Sequence, residues 1–217
     1  MKKFFVSYSA IAVLVISAVF TSCGKDDDDD NSTSSIVSGT IDPDDLEGAG
    51  WTQVGVSFDD GETIEKKVPI TNGKFTIELP TPSDNQLGEA DDLTDDIDDL
   101  PSNVTISEKN VRGASAQFYV LNASGNSKKE ISLLVASMDP IKKTGTLETA
   151  GWMYVDKNVN ITGSENFTEE GIKISTSVNM KLKKGWNSMY MNMKFSETSM
   201  SVDIKSAKPP SGLWRIE

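Results

Sequence analysis

The side chains that could do chemistry in this sequence are carboxylates, amines and hydroxyls, because histidine is absent and cysteine occurs once. A Ser-His-Asp or Cys-His nucleophile pair is therefore excluded, together with a histidine-based zinc site and an internal disulfide. The chain carries 21 basic and 33 acidic side chains, which gives a formal charge of 21 − 33 = −12. Nucleic-acid recognition needs a basic patch, so no nucleic-acid partner is expected.

The single cysteine, Cys23, follows a basic start and an apolar stretch. Two lysines precede the 17 mostly apolar residues 4–20. That length is below the roughly 20 residues that a membrane-spanning helix prefers, so we predict a cleaved signal peptide over residues 1–22. Phe20-Thr21-Ser22-Cys23 resembles a bacterial lipoprotein box, which implies that the Cys23 sulfur is lipidated. The alternative is a free thiol in an ordinary signal peptide.

A short charged segment begins two residues after Cys23. It consists of Lys25 followed by the acidic run Asp26, Asp27, Asp28, Asp29 and Asp30. Like charges at this density repel one another and stay solvated, which is typical of a disordered spacer. The arrangement is similar to the export signal by which Bacteroidetes carry lipoproteins to the outer face of the outer membrane. The resemblance implies a lipid anchor facing the cell exterior, with residues 23–35 as a disordered tether, and a periplasm-facing anchor is the alternative.

Two groups of carboxylates could supply the oxygen ligands that Ca²⁺ prefers. One group is Asp42, Asp44, Asp45 and Glu47, and the other is Asp91, Asp92, Asp95, Asp96, Asp98 and Asp99. Neither group matches the calcium loop of twelve residues with a glycine at position six and a glutamate at position twelve. A solvated acidic loop is the favoured interpretation, so no metal site and no cofactor are predicted.

Aromatic rings are the candidates for a carbohydrate platform. Trp152 and Tyr154 are two residues apart and would share one face of a strand, and Trp186 follows a Lys-Lys-Gly turn. These three residues form the candidate ligand platform, and Trp186 is the ring that we expect to be partly exposed. Buried aromatic side chains would give the same sequence pattern, and core packing is the favoured alternative.

Catalysis by a pair of carboxylates, as in glycoside hydrolysis, is the remaining enzymatic hypothesis. Acidic residues are abundant, but abundance gives no spacing, and the 217 − 22 = 195 residues after the signal peptide leave little room for a deep cleft. We therefore predict that the protein is not an enzyme and has no catalytic residues. The methionines at positions 189, 191 and 193 are interpreted as flexible core filler rather than as a metal or redox site.

The elements that must position these side chains are strands, because apolar and polar residues alternate with a period of two from Ile36 onward. The clearest run has apolar residues at 172, 174, 178, 180 and 182. It is predicted to form an antiparallel meander with the runs 188–195 and 200–205, since the intervening loops are short. Asn72-Gly73 predicts a hairpin. Further strands are predicted at 117–121, 131–137, 152–161 and 213–216.

These patterns predict an all-β protein, an antiparallel β-sandwich of about eleven strands within residues 36–217. One segment differs, because Leu93, Ile97 and Leu100 have helical spacing. Aspartates are poor helix formers, so residues 89–100 are predicted to form a short helix or a structured loop. Prolines isolate this segment, and a sub-boundary near 80–103 between two small sandwiches is the alternative to a single domain.

Four motifs extend the comparison over most of the chain after the signal peptide. They lie at residues 72–80, 154–163, 182–187 and 210–214, the third being Leu-Lys-Lys-Gly-Trp-Asn and the last Pro-Ser-Gly-Leu-Trp. Together they resemble those of small surface lipoproteins of gut Bacteroidales. The departures are Asn158 in place of a second aspartate and no residue between Leu213 and Trp214. The resemblance implies an outer-membrane location and a β-rich fold, and no activity.

We therefore expect a surface-anchored, non-enzymatic lipoprotein with a binding or structural role in the outer-membrane surface layer. The alternative is a glycan-binding module of a polysaccharide-uptake system. The expected partners are the membrane, through lipid on Cys23, and either a glycan or a surface protein. A third class, a pilus-like subunit assembled by strand exchange, would need a removable or donated strand, for which the sequence shows no clear processing site.

Overall fold

The described part of the protein is mostly β-strand, as predicted. The computed structural model describes residues 35–89 and 101–217. The fourteen strands within these residues are β1 Ile36–Thr40, β2 Trp51–Ser57, β3 Lys66–Pro69, β4 Lys74–Glu78, β5 Gly88–Glu89, β6 Thr105–Ile106, β7 Arg112–Asn122, β8 Lys128–Asp139, β9 Thr144–Val155, β10 Val159–Glu169, β11 Ile172–Leu182, β12 Gly185–Phe195, β13 Ser199–Ser206 and β14 Leu213–Ile216. The all-β fold class is confirmed.

Helical structure is limited to two short pieces in the described residues. They are α1 Pro43–Leu46 and the 3-10 turn Asp84–Gln86. In the segment predicted as a helix or structured loop, Glu89 ends β5, and residues 90–100 lie outside the described residues. Within residues 35–89 and 101–217, no helix has the length and apolar character needed to span a membrane.

Twelve strands form one open, mixed sheet, and β1 and β4 form a separate antiparallel pair. The main path of the sheet runs β3-β2-β7-β8-β9-β12-β13-β11-β10-β6, with β14 beside β8 and β5 beside β7. The sheet forks in the middle of this path. β7 pairs with β8 through residues 118–121 and with β9 through residues 113–116, while β8 pairs with β9 from Leu133 onward. The fork allows one sheet to line two hydrophobic clusters.

The first hydrophobic cluster is formed by the β1–β4 pair together with strands from both sides of the fork. Its centre is aromatic: the Trp214 ring contacts Phe75, Phe118 and Trp152 with centroid distances of 5.1, 4.9 and 5.6 Å. Aliphatic residues from β1, β2, β4, β7 and β8 complete it, among them Val37, Val54, Ile77, Val120 and Ile131. Aromatic rings at these separations stabilise a core beyond the area they bury.

The second hydrophobic cluster lies on the opposite face of β9. Trp152 belongs to the first cluster and Tyr154 packs against it, whereas Met153 and Val155 belong to the second. Successive side chains of a strand point to opposite faces, so β9 serves as a wall shared by both clusters. β10, β11 and β13 supply the rest of the second cluster, and Val104, Ile106 and Val111 pack on it from the preceding segment.

The predicted Asn72-Gly73 turn forms, but the two strands that it joins then separate. Asn72 and Gly73 have φ values of +52° and +74°, the left-handed backbone that a type I′ turn requires, and Thr71 bridges to Lys74. Beyond this bridge, β3 pairs with β2 and β4 pairs with β1. The turn therefore passes the chain from the large sheet to the small one.

The predicted strand over 152–161 is strand on both sides of a break, so its continuity is wrong. β9 ends at Val155 and β10 begins at Val159. The turn between them is held by Arg112, whose backbone N–H donates to the Asp156 carboxylate at 2.8 Å. Apolar residues lie on both sides of the turn, so the sequence pattern predicted one continuous strand.

The predicted meander is half correct. β12 and β13 pair in antiparallel fashion, but β13 then lies parallel to β11, between β11 and β12. A parallel pair needs a crossover connection, and here the eleven-residue strand β12 is that connection. The apolar row of β13 consequently has neighbours on both sides: Val202 pairs with Thr176 on one side and with Met193 on the other.

The alternation of β11 is confirmed, and it provides a test of the fold. Val178 is 3% exposed and faces the second cluster, while the adjacent Asn179 is exposed. A carboxylate at position 178 would enter the core without a partner, so Val178→Asp should lower the free energy of unfolding by about 3 kcal/mol or more. Asn179→Asp should change it by less than about 0.5 kcal/mol.

Urea unfolding midpoints of the two variants measure this difference. Equal midpoints would show that the strand phase, and with it the assignment of the second cluster, is wrong.

Candidate functional site

The aromatic platform predicted from the sequence lies inside the protein. Trp152 and Trp186 are each 5% exposed, and Tyr154 is half-buried. The Trp186 indole N–H donates to the Pro80 carbonyl at 3.0 Å, and its ring meets Tyr154 edge-on with centroids 5.6 Å apart. The expectation that Trp186 is partly exposed is therefore wrong. Neither tryptophan offers a ring face to a ligand, and both pack in the first cluster.

The turn before Trp186 explains this burial. Gly185, with a φ of +104°, is already the first residue of β12, so Trp186 is a strand residue and not a turn residue. The buried Asn187 side chain closes the turn: its amide donates to the Lys183 and Gly185 carbonyls, and its oxygen accepts from the Lys183 N–H. In the Leu-Lys-Lys-Gly-Trp-Asn motif, glycine thus supplies the left-handed backbone, asparagine closes the turn, and tryptophan packs in the first cluster.

The first acidic group is an ion-pair site. Arg215 binds Asp42 through one guanidinium nitrogen, and its Nε lies 3.0 Å from the Asp45 carboxylate. Asp42 is 4% exposed, and its carboxylate also accepts a hydrogen bond from the Asp44 N–H at 3.0 Å. Asp45 accepts from the backbone N–H of Ile216 at 3.1 Å. These contacts join the start of α1, which follows β1, to β14.

The acidic group at Asp42 is not arranged as a cation site. Asp44 and Glu47, its other members, are exposed. In the part of the chain that the structure describes, no group of three or more His, Cys, Asp or Glu side chains could hold a metal ion. The second acidic group, residues 91–99, lies outside the described residues.

A polar cluster that the sequence did not indicate covers the β2–β3 turn. Lys128 binds the Gly61 carbonyl and lies 5.5 Å above the Tyr119 ring, and Gln117 donates to the Asp60 carboxylate at 2.7 Å. These residues are distant along the chain, so no local motif could have revealed them. A Cβ at Gly61 would lie 2.7 Å from the Tyr119 ring, which requires glycine there.

The ionisable groups of this cluster suit a structural role. Burial raises the pKa of Tyr119, and nearby Glu130 adds to the effect, so the phenol stays protonated at neutral pH. Burial also raises the pKa of Glu130, with Glu217 contributing repulsion. Hydrogen bonds from Ser57 and Thr63 lower the pKa of Asp59, which keeps this carboxylate charged at the turn.

An apolar surface stays partly open on one face of the sheet, where β9 to β13 extend beyond the second cluster. We call it the open face. The strand register places Phe167, Ile174, Met200 and Phe195 side by side in one row across this face. In the next row, Met193 lies beside Leu147. These six side chains are exposed or half-buried, and Phe167 is 43% exposed. The methionines 189, 191 and 193 pack against the second cluster at its border.

A shallow groove of about 370 Å³ lies where the row crosses β10, β11 and β13. Apolar side chains, serine and threonine hydroxyls and one asparagine amide line the groove. Lys173 is the one charged residue in this lining. Such a lining can contact another molecule, but it has no pair of groups for acid–base chemistry.

Comparisons with family models, with curated proteins and with solved structures found no match. The sequence-derived lipidation site Cys23 and the export signal, Lys25 and the aspartates 26–30, lie outside the described residues and stay predictions.

The ion pair at Asp42 gives a prediction about stability. Arg215→Gln should lower the free energy of unfolding by about 1.5–3 kcal/mol, because it leaves a buried carboxylate without its cationic partner, although partial exposure of Arg215 reduces the effect. Adding Asp42→Asn should restore part of the loss, since the neutral amide needs no counter-charge.

Lys142→Gln breaks a solvent-exposed pair with Asp139 and serves as the control, with little expected change in the urea midpoint. If Arg215→Gln were as harmless as Lys142→Gln, the pair would not be holding β1 to β14.

Proposed function

We propose that the protein is a lipid-anchored, non-enzymatic component of the outer-membrane surface with a binding or structural role. The observation that carries this proposal is the sequence around Cys23, in which the single cysteine of the chain stands at a lipoprotein box and is followed by five consecutive aspartates. The likeness to surface lipoproteins of gut Bacteroidales supports the same location.

The position of β1 in the chain fits such an anchor. β1 begins at Ile36, so 13 residue steps separate it from Cys23. A flexible chain of this length has an end-to-end distance on the order of 20 Å. The tether would hold the β-sheet body beyond the lipid headgroups, where its surfaces can reach other molecules.

A non-catalytic role is supported by how the candidate chemical groups are used. Trp152 and Trp186 pack in the first cluster, and Asp42 and Asp45 bind Arg215. The surface left over is the open face, whose apolar side chains favour contact with another molecule. This use of the side chains supports a binding or structural role.

Glycan binding remains the alternative function, but it would have to use rings other than the predicted platform. Of the four tryptophans, Trp51 alone is half-buried and the other three are buried. We expect the intrinsic tryptophan fluorescence to stay unchanged when the protein is titrated with polysaccharides. A saturable shift in emission that is lost in Trp51→Phe would favour the glycan-binding alternative.

The proposed location is tested by replacing the acidic run with alanines. Wild-type protein on intact cells should be cleaved by added protease, whereas the variant with alanine at 26–30 should remain in the membrane fraction and be protected. Cys23→Ala is the matched control for the anchor. It should leave the membrane fraction, because each buried CH₂ of the lipid contributes about 0.8 kcal/mol to membrane binding.

Equal protease cleavage of the wild type and the alanine variant would contradict the export role of the aspartates. Retention of Cys23→Ala in membranes would contradict the lipid anchor.

A further inference from the structure

One end of the large sheet gathers positive charge. Five strands begin or end there, and three segments close it: residues 108–112, 156–158 and 183–184. We call these three segments the basic end. They contain five basic and two acidic side chains, which gives a net charge of 5 − 2 = +3, whereas the whole chain carries −12. The turns at the opposite end contain two lysines and two glutamates and have no net charge; they are residues 140–143, 170–171 and 196–198.

Hydrogen bonds join the three segments into one surface. The Lys157 ammonium group donates to the Asn110 carbonyl at 2.8 Å, which connects the first segment with the second. The Lys184 N–H donates to the Asn158 side-chain oxygen at 2.9 Å, which connects the second segment with the third. The charges of the basic end therefore lie side by side and can act on one partner.

The lysines of the basic end are all exposed: Lys109, Lys157, Lys183 and Lys184. None of them takes part in the ion pairs formed within the described part of the chain. Arg112 differs, because Asp84 and Asp156 bind its guanidinium group. Glu89 also lies opposite Arg112 in the β5–β7 register, so the uncompensated charge is concentrated in the other two segments.

The first strand enters the fold beside the basic end. The carbonyl of Ser35, directly before β1, accepts a hydrogen bond from the Leu79 N–H at 2.6 Å. The residue after Leu79 is Pro80, whose carbonyl accepts from the Trp186 indole N–H. Trp186 is the second residue of β12, which directly follows the third segment of the basic end. The connection from β1 toward the predicted lipid on Cys23 therefore starts near the basic end.

We propose that the basic end docks on the anionic phosphate groups of the lipids in which the Cys23 anchor is inserted. Lysine side chains near a negatively charged lipid surface are attracted to it, and the contributions of several lysines add up. The attraction acts over a Debye length, about 8–10 Å at ordinary salt concentrations. This inference rests on the proposed anchoring, because the lipid keeps the basic end close enough to the headgroups for such weak contacts to form.

Docking at this end would make the longest strands stand upright on the membrane. β9 to β12 run from the basic end to the opposite end, and the eleven residues of β11 span about 33 Å. The outer row of the open face, from Phe167 to Phe195, lies at the opposite end. The apolar row would thus be held away from the headgroups and presented to partners outside the cell.

Acidic stretches of the same chain are the competing partners for these lysines. They are the aspartates at 26–30 and the acidic group within residues 91–99. Ion pairs within the chain would stabilise the fold and would not depend on the lipid. Docking, by contrast, depends on the charge of the lipid headgroups and leaves the free energy of unfolding unchanged. One set of variants therefore distinguishes the two.

Energy transfer in lipid vesicles tests the proposed docking in the lipidated chain. A donor dye is attached at Thr162→Cys or at Thr168→Cys, and the chain is reconstituted in phosphatidylglycerol vesicles that contain an acceptor-labelled lipid. Both threonines are exposed on β10, and about 20 Å of strand separates them, with position 162 nearer the basic end. We expect at least about twice as much transfer from position 162 as from position 168. The lipid on Cys23 keeps its sulfur from reacting with the dye.

Two comparisons isolate the charge of the lysines. In phosphatidylcholine vesicles, where a choline cation balances each phosphate, the ratio of transfer from positions 162 and 168 should fall toward one. The same fall is expected in phosphatidylglycerol vesicles for a combined variant of the basic end: Lys157→Gln, Lys183→Gln and Lys184→Gln. The matched control removes three lysines near the opposite end and should keep the wild-type ratio: Lys142→Gln, Lys143→Gln and Lys173→Gln. All six lysines are exposed, so the urea midpoints should change little.

The proposal is overturned if the two positions give equal transfer in phosphatidylglycerol vesicles, or if the variant of the basic end keeps the wild-type ratio. A lower urea midpoint in that variant, with an unchanged ratio, would assign its lysines to the acidic stretches of the same chain. Flotation with the vesicles is scored separately. A chain that does not float counts against the lipid anchor, whereas a floating chain with equal transfer counts against the docking.

Discussion

Packing of the Trp214 indole is the interaction on which the rest of the first cluster depends. The ring contacts Phe75, Phe118 and Trp152, which come from three different strands, and its backbone pairs with β8 and bridges to Ile41. Gly39 makes room for it, since a Cβ there would lie 2.1 Å from the indole nitrogen. The last strand of the chain therefore holds the small β1–β4 sheet against the large one.

The next residue, Arg215, extends this connection to the surface. Side chains alternate along β14, so the guanidinium points away from the ring cluster and meets Asp42 and Asp45 at the start of α1, which follows β1. One short strand thus provides an apolar contact on one face and an ion pair on the other. This is why the carboxylates that resembled a cation site in the sequence are used for support.

The use of both faces of β9 has a similar consequence for function. Because β9 separates two hydrophobic clusters, Trp152 is buried and Tyr154 is half-buried against the first cluster, so the two rings do not form an exposed platform. Surface for contact with other molecules is left where the strands extend past the clusters, on the open face. This face arises because the sheet is longer than the cores that it covers.

Four features could be predicted from the residues alone, because each is a local property or a matter of composition: the strand character, the turn at Asn72-Gly73, the alternation along β11 and the absence of histidine and disulfide chemistry. The other features depend on contacts between distant parts of the chain. A period-two pattern tells which face of a strand is apolar but not which strand lies beside it, so the insertion of β13 next to β11 could not be derived from local spacing. The burial of Trp186 likewise depends on a carbonyl 106 residues away, and the Arg215–Asp42 pair joins residues separated by 173 positions. Such contacts depend on the packing free energy of the whole fold, which no short segment contains.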